Sequence, residues 1–591
     1  MKRHSSPAWI GFAARAWLGI LGTALLHIPI RAAESYTATV RITDRVLNAV
    51  KPLLFGDNIE WANDGMGFWL SKEKKLDEKL VAEVRAAGVT HLRYPGGTLS
   101  DYFEWKKAVG DKRQPIPNPF NKGKPEDPRF GPAEFIALCR RLEIPGTITL
   151  NAGTGTPEEA AGWVKYFRDQ GFPVTSFAVG NEIYMAKPPE PIVKTPEQYI
   201  DFFFKCREAI DKVAPGTKLG AIGLHDTGAF ALSRHKDWME KILRALGDKI
   251  AFLDVHNGYA PVARMVLGDP KAKAPTDDEF AACFLGASVY VEENLRATKV
   301  DLAKHAPHEG KSIEIHVSEY GPLVYPLGTL KAIDELPWNR SLAGALYQAC
   351  LFNVFAREPK LTSANHLPLH QDVFGALVGA HSTPFFGRTN WRNIVFYVFQ
   401  IYAKMAGRDV LAVEVQTPTY STDAVGIVPK LQNVPCLDVG AYRTPDGKNL
   451  TLFLINRDVR RGAAVKLDLG PTAWRAESRT TLAADSYKAE NGPSQPNQVV
   501  PVRVEGQDLT VVELPKHSLL RIDLGRKRHS CGRSVFRRGK SRCNTRTGDS
   551  SRSSRLVATL DDDAGLPLPR ATVVIEGTSE EQAAYYIGCW L

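Results

Sequence analysis

Eight strand-like runs, each followed by a helix-like one, and then a block of short alternating runs predict an α/β chain in two parts. The first is a (β/α)8 TIM barrel and the second an all-β, jelly-roll-like sandwich. The strand-like runs are 53–60, 89–94, 147–151, 175–179, 218–222, 251–256, 313–318 and 362–367. The helical patterns are near 72–87, 132–142, 157–170, 196–213, 235–247, 280–304, 340–356 and 391–405. Two of these open on Thr156-Pro157-Glu158-Glu159 and Thr195-Pro196-Glu197, with Pro just inside a capping Thr. A doubly wound sheet usually has fewer strands and a Gly-rich phosphate turn after the first. Here the first strand leads into Phe55-Gly56-Asp57-Asn58-Ile59-Glu60-Trp61, which is no such turn.

Ahead of the barrel (51–407), residues 36–42 alternate like an edge strand, and 34–50 are expected to pair into the C-terminal sandwich. That sandwich, 408–525, is read from alternating runs at 410–415, 437–443, 450–456, 464–469 and 511–514. Turn clusters such as Thr444-Pro445-Asp446-Gly447 separate them. Residues 526–591 belong to neither part. An Arg/Ser-rich stretch reads as disordered, and 565–578 resembles the start of a carboxypeptidase-regulatory-like β-repeat, with too few strands to close a core. This tail reads either as an artefactual extension or as a variable secreted tail.

Half of the formal charge of +10 lies in that tail, which is about a ninth of the chain. Residues 526–555 hold eleven Lys/Arg and one acid, and 556–591 hold one Arg and six acids, which leaves +5 for the first 525 residues. The body therefore gives no charge argument for nucleic acid. Residues 1–33 read as an export signal: Lys2, Arg3 and His4, an apolar run over 17–30, then Ala32-Ala33. A secreted or periplasmic protein is expected, with an uncleaved anchor as the alternative and no membrane association in the mature form. The eight cysteines show no paired spacing, so neither a disulfide framework nor a zinc site is expected.

The chemistry is read from two glutamates at strand ends. Glu182 closes Val174-Thr175-Ser176-Phe177-Ala178-Val179-Gly180-Asn181-Glu182, and Glu319 follows Ile313-Glu314-Ile315-His316-Val317-Ser318. In a barrel both emerge at one rim, and paired carboxyl groups across a sugar are the machinery of glycoside hydrolysis. Glu182 is expected to be the acid/base and Glu319 the nucleophile. Trp61, Trp69, Trp105 and Trp391 are candidate sugar platforms, and Trp163 is expected in a helix core. His366 and His370 stand four apart, but on a strand or loop they need not share a face, and no metal is expected.

These residues carry a family resemblance. Gly180-Asn181-Glu182 and Ser318-Glu319-Tyr320 look like the acid/base and nucleophile motifs of retaining barrel glycosidases. Leu92-Arg93-Tyr94-Pro95-Gly96-Gly97, Tyr102-Phe103-Glu104-Trp105, 151–160, 395–402 and Leu452-Phe453-Leu454-Ile455-Asn456-Arg457 are similar to glycoside hydrolase family 51 α-L-arabinofuranosidases. The resemblance spans about 36–525. It implies that Glu60 binds furanose hydroxyls, that Arg93 braces the nucleophile and that Asn181 meets the 2-hydroxyl. It further implies that His256 and Tyr259 bond near the nucleophile, and Trp105 and Tyr320 complete the expected substrate-binding set. It also implies a homo-oligomer and no cofactor. The chain departs from the family pattern at Thr98 (typically Asn), at Ser318-Glu319-Tyr320-Gly321 (commonly Asp-Glu-Trp-Asn), at His256-Asn257-Gly258-Tyr259 (one residue longer) and at Ile183-Tyr184 (usually Met-Asp). The carboxylate chemistry survives these changes, whereas the sugar is left open. The leading expectation is an enzyme acting on arabinose-containing hemicellulose or pectin. The alternatives are an endoglucanase or β-xylosidase, a non-catalytic carbohydrate-binding relative, and nucleic-acid binding confined to the basic tail.

Overall fold

In the computed structural model the described residues are 34–119, 123–185, 192–224, 235–264, 275–325, 337–370, 375–383, 387–506, 509, 511–527, 556–558 and 573–575. Residues 1–33, expected to be an export signal, and most of the tail lie outside them. Contacts divide the chain into one unit over Met1–Lys527 and a second over Arg528–Leu591. In the second, Leu556–Ala558 pairs antiparallel with Val573–Ile575.

In the first unit, β1 is Ser35–Ala49. The barrel strands are β2 (Leu53–Asn58), β3 (Leu92–Tyr94), β4 (Gly146–Leu150), β5 (Val174–Val179), β6 (Leu219–Ile222), β7 (Phe252–Val255), β8 (Glu314–Tyr325) and β9 (Leu361–His366). Each pairs in parallel with the next, from β2 to β9. β9 then pairs in parallel with β2 and closes the ring. The eight-stranded parallel barrel expected from the sequence is therefore present. The helices that cover it are α1 (Glu78–Ala87), α2 (Pro132–Leu142), α3 (Pro157–Asp169), α4 (Pro196–Val213), α5 (Trp238–Leu246), α6 (Asp277–His305), α7 (Leu342–Arg357) and α8 (Ile394–Tyr402).

The caps read from the sequence form. Thr156 Oγ1 accepts from Glu159 N at the head of α3, and Thr195 Oγ1 accepts from Gln198 N at the head of α4. The barrel axis is more polar than the branched apolar layers usual for this architecture. Thr147, Thr149, Ser176, Asp254, His316 and Ser363 line one small internal cavity. Cys139, Cys206, Cys283, Cys350 and Cys436 are buried free thiols.

The C-terminal part is a nine-stranded sheet built from β1 and eight later strands. These are β10 (Asp409–Gln416), β11 (Leu437–Arg443), β12 (Asn449–Asn456), β13 (Gly462–Asp468), β14 (Trp474–Leu482), β15 (Val502–Glu505), β16 (Val512–Leu514) and β17 (Ser518–Arg526). Their order is β15-β14-β17-β12-β11-β10-β1-β13-β16. β1 lies antiparallel to β10 and parallel to β13, so a strand that precedes the barrel is internal to the sheet that follows it. One face encloses Tyr36, Val40, Leu437, Leu452, Val465 and Ile522. The other face joins the barrel core, where the Phe453 ring stacks on Tyr402 with centroids 3.8 Å apart. Beside that stack, buried Asn353 of α7 accepts from Tyr402 and Tyr442 hydroxyls and donates to Asp438 Oδ2.

Candidate active site

A closed parallel barrel gathers the C-terminal ends of its strands at one rim. Arg93, the middle residue of β3, is 2% exposed there. Its Nη1 donates to Glu319 Oε1 at 2.8 Å and to Asn58 Oδ1 at 3.0 Å, and its Nη2 donates to Asn181 Oδ1 at 2.7 Å. One buried cation thus ties together residues from four strands or their ends. Asn58, the last residue of β2, is itself fixed, because its Nδ2 donates to the carbonyls of Ser318 and His366.

Glu319 reaches this cation through a break in strand alternation. Val317 of β8 pairs with Ala364 of β9, but Tyr320 pairs with His366, so β8 spends three steps against two. The extra residue is a bulge, a device that re-aims side chains at strand ends. Ser318 and Glu319 consequently both face the site. Ser318 Oγ lies 3.1 Å from His256 Nε2, and Glu319 meets Arg93. Tyr320 is turned the other way, edge-on to Phe355 of α7 at 5.0 Å and fully buried. The expectation that Tyr320 binds substrate is therefore corrected, since the bulge that brings Glu319 in puts Tyr320 out.

Glu182 is positioned by an unusual backbone. Gly180 has φ 90° and Glu182 itself φ 48°, the left-handed region that a side chain of this size rarely adopts. Such residues cost roughly 1–3 kcal/mol and cluster at functional sites. The turn is held by Asp101 Oδ1, which accepts from Asn181 N at 3.0 Å. Glu182 Oε1 lies 2.9 Å from His256 Nδ1, and Glu319 Oε2 lies 3.7 Å from the same nitrogen. One oxygen of each glutamate and a ring nitrogen of His256 all fall within 4.8 Å of one another.

Two glycines make room for this arrangement. Gly96, at φ 117°, packs on Glu60, where an added Cβ would stand 2.7 Å from Glu60 Cγ. A Cβ on Gly97 would overlap Glu319 Oε1. Burial first, and then the charges of Glu319 and Glu126, push the Glu60 carboxyl up to about 7. Burial alone would lower His256, but the charges of Glu319 and Glu182 outweigh it and leave the imidazole above its ordinary value. Tyr184 is driven well up by burial and by the same two carboxylates.

Of the expected residues, the structure brings together Glu60, Arg93, Asn181, Glu182, His256 and Glu319. Tyr259 lies on the strand Gly258–Arg264, with its side chain outside the described residues. Trp105 is corrected as a sugar platform: its ring stacks on Trp163 and its Nε1 donates to Glu159 O, so both its face and its polar edge are used in packing. Trp61 and Trp391 are likewise buried, Trp61 on Phe103 and Trp391 with Nε1 bonded to Asn393, whereas Trp69 is half-buried. His366 and His370 are separated by their partners, Asp57 for the first and Met66 O for the second. Sequence reasoning missed Asn58, Asp101, Ser318 and Gly97 as site residues. The only signal for them was polar or Gly identity close to a strand end.

Glu182, His256 and Glu319 are also the one His/carboxylate group among the described residues with spacing for a cation. The fixed charge of Arg93 on Glu319 weighs against a cation there.

Comparison with known proteins agrees with this architecture. Residues 334–518 match the model of the α-L-arabinofuranosidase C-terminal domain. The chain is 23% identical over 504 residues to an intracellular exo-α-(1→5)-L-arabinofuranosidase of Streptomyces lividans, covering 78% of this chain and 71% of that one. It is 25% identical over 491 residues to an exo-α-(1→6)-L-arabinofuranosidase of Bifidobacterium longum, covering 76% and 89%. Among solved structures, the family 51 arabinofuranosidase of Xanthomonas axonopodis pv. citri superposes with a TM-score of 0.68 at 24% identity, covering 83% of this chain and 99% of that one. The resemblance to family 51 is borne out, and with it the expectation of a glycoside hydrolase.

Proposed function

We propose that the chain is a retaining α-L-arabinofuranosidase that removes arabinofuranosyl residues from hemicellulose or pectin by double displacement. The observation that carries the mechanism is the closeness of Glu182 and Glu319, with one oxygen of each within 4.8 Å. Retaining pairs stand about 5–5.5 Å apart, whereas inverting pairs leave roughly 6.5–9.5 Å for a water. The sugar is supported by the named activities of the relatives.

Glu319, held in place by Arg93, attacks the anomeric carbon while Glu182 passes its proton to the leaving oxygen. The C–O bond to the aglycone breaks and a glycosyl ester of Glu319 forms. Glu182 then takes a proton from water as that water's oxygen displaces Glu319. Asn181, oriented by Arg93, holds the 2-hydroxyl, and Glu60 accepts from the outer furanose hydroxyls. Export through residues 1–33 is part of this reading, and N-terminal sequencing of the mature protein tests it.

The experiment for the activity is hydrolysis of a panel of aryl glycosides by the full chain, with Glu319→Ala alongside. Release from the α-L-arabinofuranoside that is lost in the variant is the expected result. Activity confined to a glucoside or xyloside would keep the mechanism and move the substrate to an endoglucanase or β-xylosidase. Inertness of the folded protein on every sugar would overturn the reading.

A further inference from the structure

We propose that Ser318 is a positioning residue that sets the protonation of the acid/base. Its hydroxyl accepts the Nε2–H of His256, which turns the Nδ1 lone pair to Glu182 so that one proton is shared between Nδ1 and Glu182 Oε1. This rests on the role proposed above for Glu182.

The argument starts from geometry. Buried His256 has both ring nitrogens engaged, Nδ1 at 2.9 Å from Glu182 Oε1 and Nε2 at 3.1 Å from Ser318 Oγ. A hydroxyl can give or take a hydrogen, so it permits two arrangements. If Ser318 donates to Nε2, Nδ1 carries the hydrogen and Glu182 Oε1 accepts it, so the hydrogen between the two residues belongs to the imidazole. If Nε2–H donates to Ser318, Nδ1 accepts from a protonated Glu182.

The charges around the ring select the second arrangement. Carboxylates face His256 from three elements: Glu182 beyond β5, Glu319 on β8 and Asp254 on β7. The opposing cation, Arg93 of β3, is spent on Glu319. Buried His316 of β8 lies near Asp254, and Tyr184 lies near all three of these carboxylates. Glu319 and Asp254, the two carboxylates outside the Glu182–His256 pair, favour retention of the extra proton by that pair, and the raised titration of His256 has the same sign. Nε2 then keeps its hydrogen in either form of the pair, and Ser318 is left to accept it.

The hydroxyl matters because it is neutral. A carboxylate at position 318, the identity common in the resembled family, would stabilise imidazolium and draw the shared proton off Glu182. During the reaction the proton leaves Glu182 Oε1 for the aglycone oxygen and is replaced from the attacking water. Nε2–H stays on Ser318 throughout.

The test uses full-length protein labelled with 13C/15N histidine, with the His256 resonances assigned by their loss in His256→Gln. The His256 titration and tautomer are followed in wild type, Ser318→Ala, Ser318→Thr and Ser318→Asp, next to pH profiles of kcat/KM on an aryl α-L-arabinofuranoside. A lost hydrogen bond of ordinary strength predicts a titration about half to one pH unit lower in Ser318→Ala. The basic limb of kcat/KM should move the same way. Ser318→Thr should restore both, and Ser318→Asp should raise the titration while lowering the plateau rate. A His256 titration in Ser318→Ala that superimposes on wild type would overturn the inference, as would an Nδ1–H tautomer in the neutral wild-type ring. Titrations that shift as described in a protein that cleaves no glycoside would instead overturn the functional reading on which it rests.

Discussion

Gly97 lies against Glu319 so closely that a methyl group on its Cα would overlap Oε1, the oxygen that Arg93 holds at 2.8 Å. The carboxylate cannot yield freely, because moving it breaks a buried ion pair. Gly97→Ala should therefore displace Glu319 and not unfold the protein. A misplacement of about 1 Å in a reacting group costs on the order of 100-fold in rate. We expect kcat to fall by about that factor with an unchanged circular dichroism spectrum, and unaltered turnover would show that the carboxylate can reposition without loss.

Arg93 serves three acceptors at once, so its replacement is felt in folding as well as in turnover. Removing one member of a buried pair costs roughly 3–5 kcal/mol. Lys is no substitute, since a point charge on a flexible stem cannot serve Glu319, Asn58 and Asn181 together. Arg93→Lys is expected to lose activity and to lower the denaturation midpoint, read by urea unfolding next to kinetics.

Glu60 gives a pH signature with a definite sign. Its carboxyl rises from 4.5 to about 7 on folding, so the folded state binds the proton more tightly than the unfolded one. Stability contributed by this group is full at acid pH, falls between about 4.5 and 7, and stays low above that. Glu60→Gln removes the ionisation. Its Tm should exceed wild type at pH 8 and match it near pH 4, while activity drops. A Tm difference that is the same at both pH values would reject the assignment.

Tyr320 and Asn353 make a contrasting pair away from the reaction. Tyr320→Phe should leave kcat/KM unchanged, because the ring packs on Phe355 on the far side of β8 from Glu319. Asn353→Ala strips the partner from two tyrosine hydroxyls and from Asp438, and should cost about 2–4 kcal/mol in chemical denaturation with kcat preserved.

The barrel was legible because its strands and helices follow each other with the periods that backbone geometry imposes, and because Thr156 and Thr195 announce two helix starts. Glu182 could be placed just past a strand end for the same reason, whereas β8 runs on past Glu319 to Tyr325. What escaped depends on a single register step. Strict alternation cannot place Ser318 and Glu319 on one face, so the bulge is invisible in the sequence, and with it the outward turn of Tyr320. Trp105 misled for another reason: residue type tells that an aromatic ring is useful to a sugar, but not that Trp163 already occupies its face. Asn58 and Asp101 are ordinary polar residues whose importance comes from what they hold, Arg93 and the Asn181 backbone, and that pairing spans 35 residues in one case and 80 in the other.

β1 sits between β10 and β13, where Thr39 faces Gln416 on one side and Lys466 on the other. A ribosome makes this segment near the start of synthesis and its two neighbours only after the whole barrel has emerged. Residues 35–49 must therefore wait, unpaired and alternately apolar, while some 350 residues fold beside them. A segment made before the barrel is thus among the last to be locked. A nascent chain arrested before residue 409 would hold a barrel with a loose leading strand, open to chaperones and proteases. The sheet that follows the barrel thus acts as the clasp on the strand that precedes it.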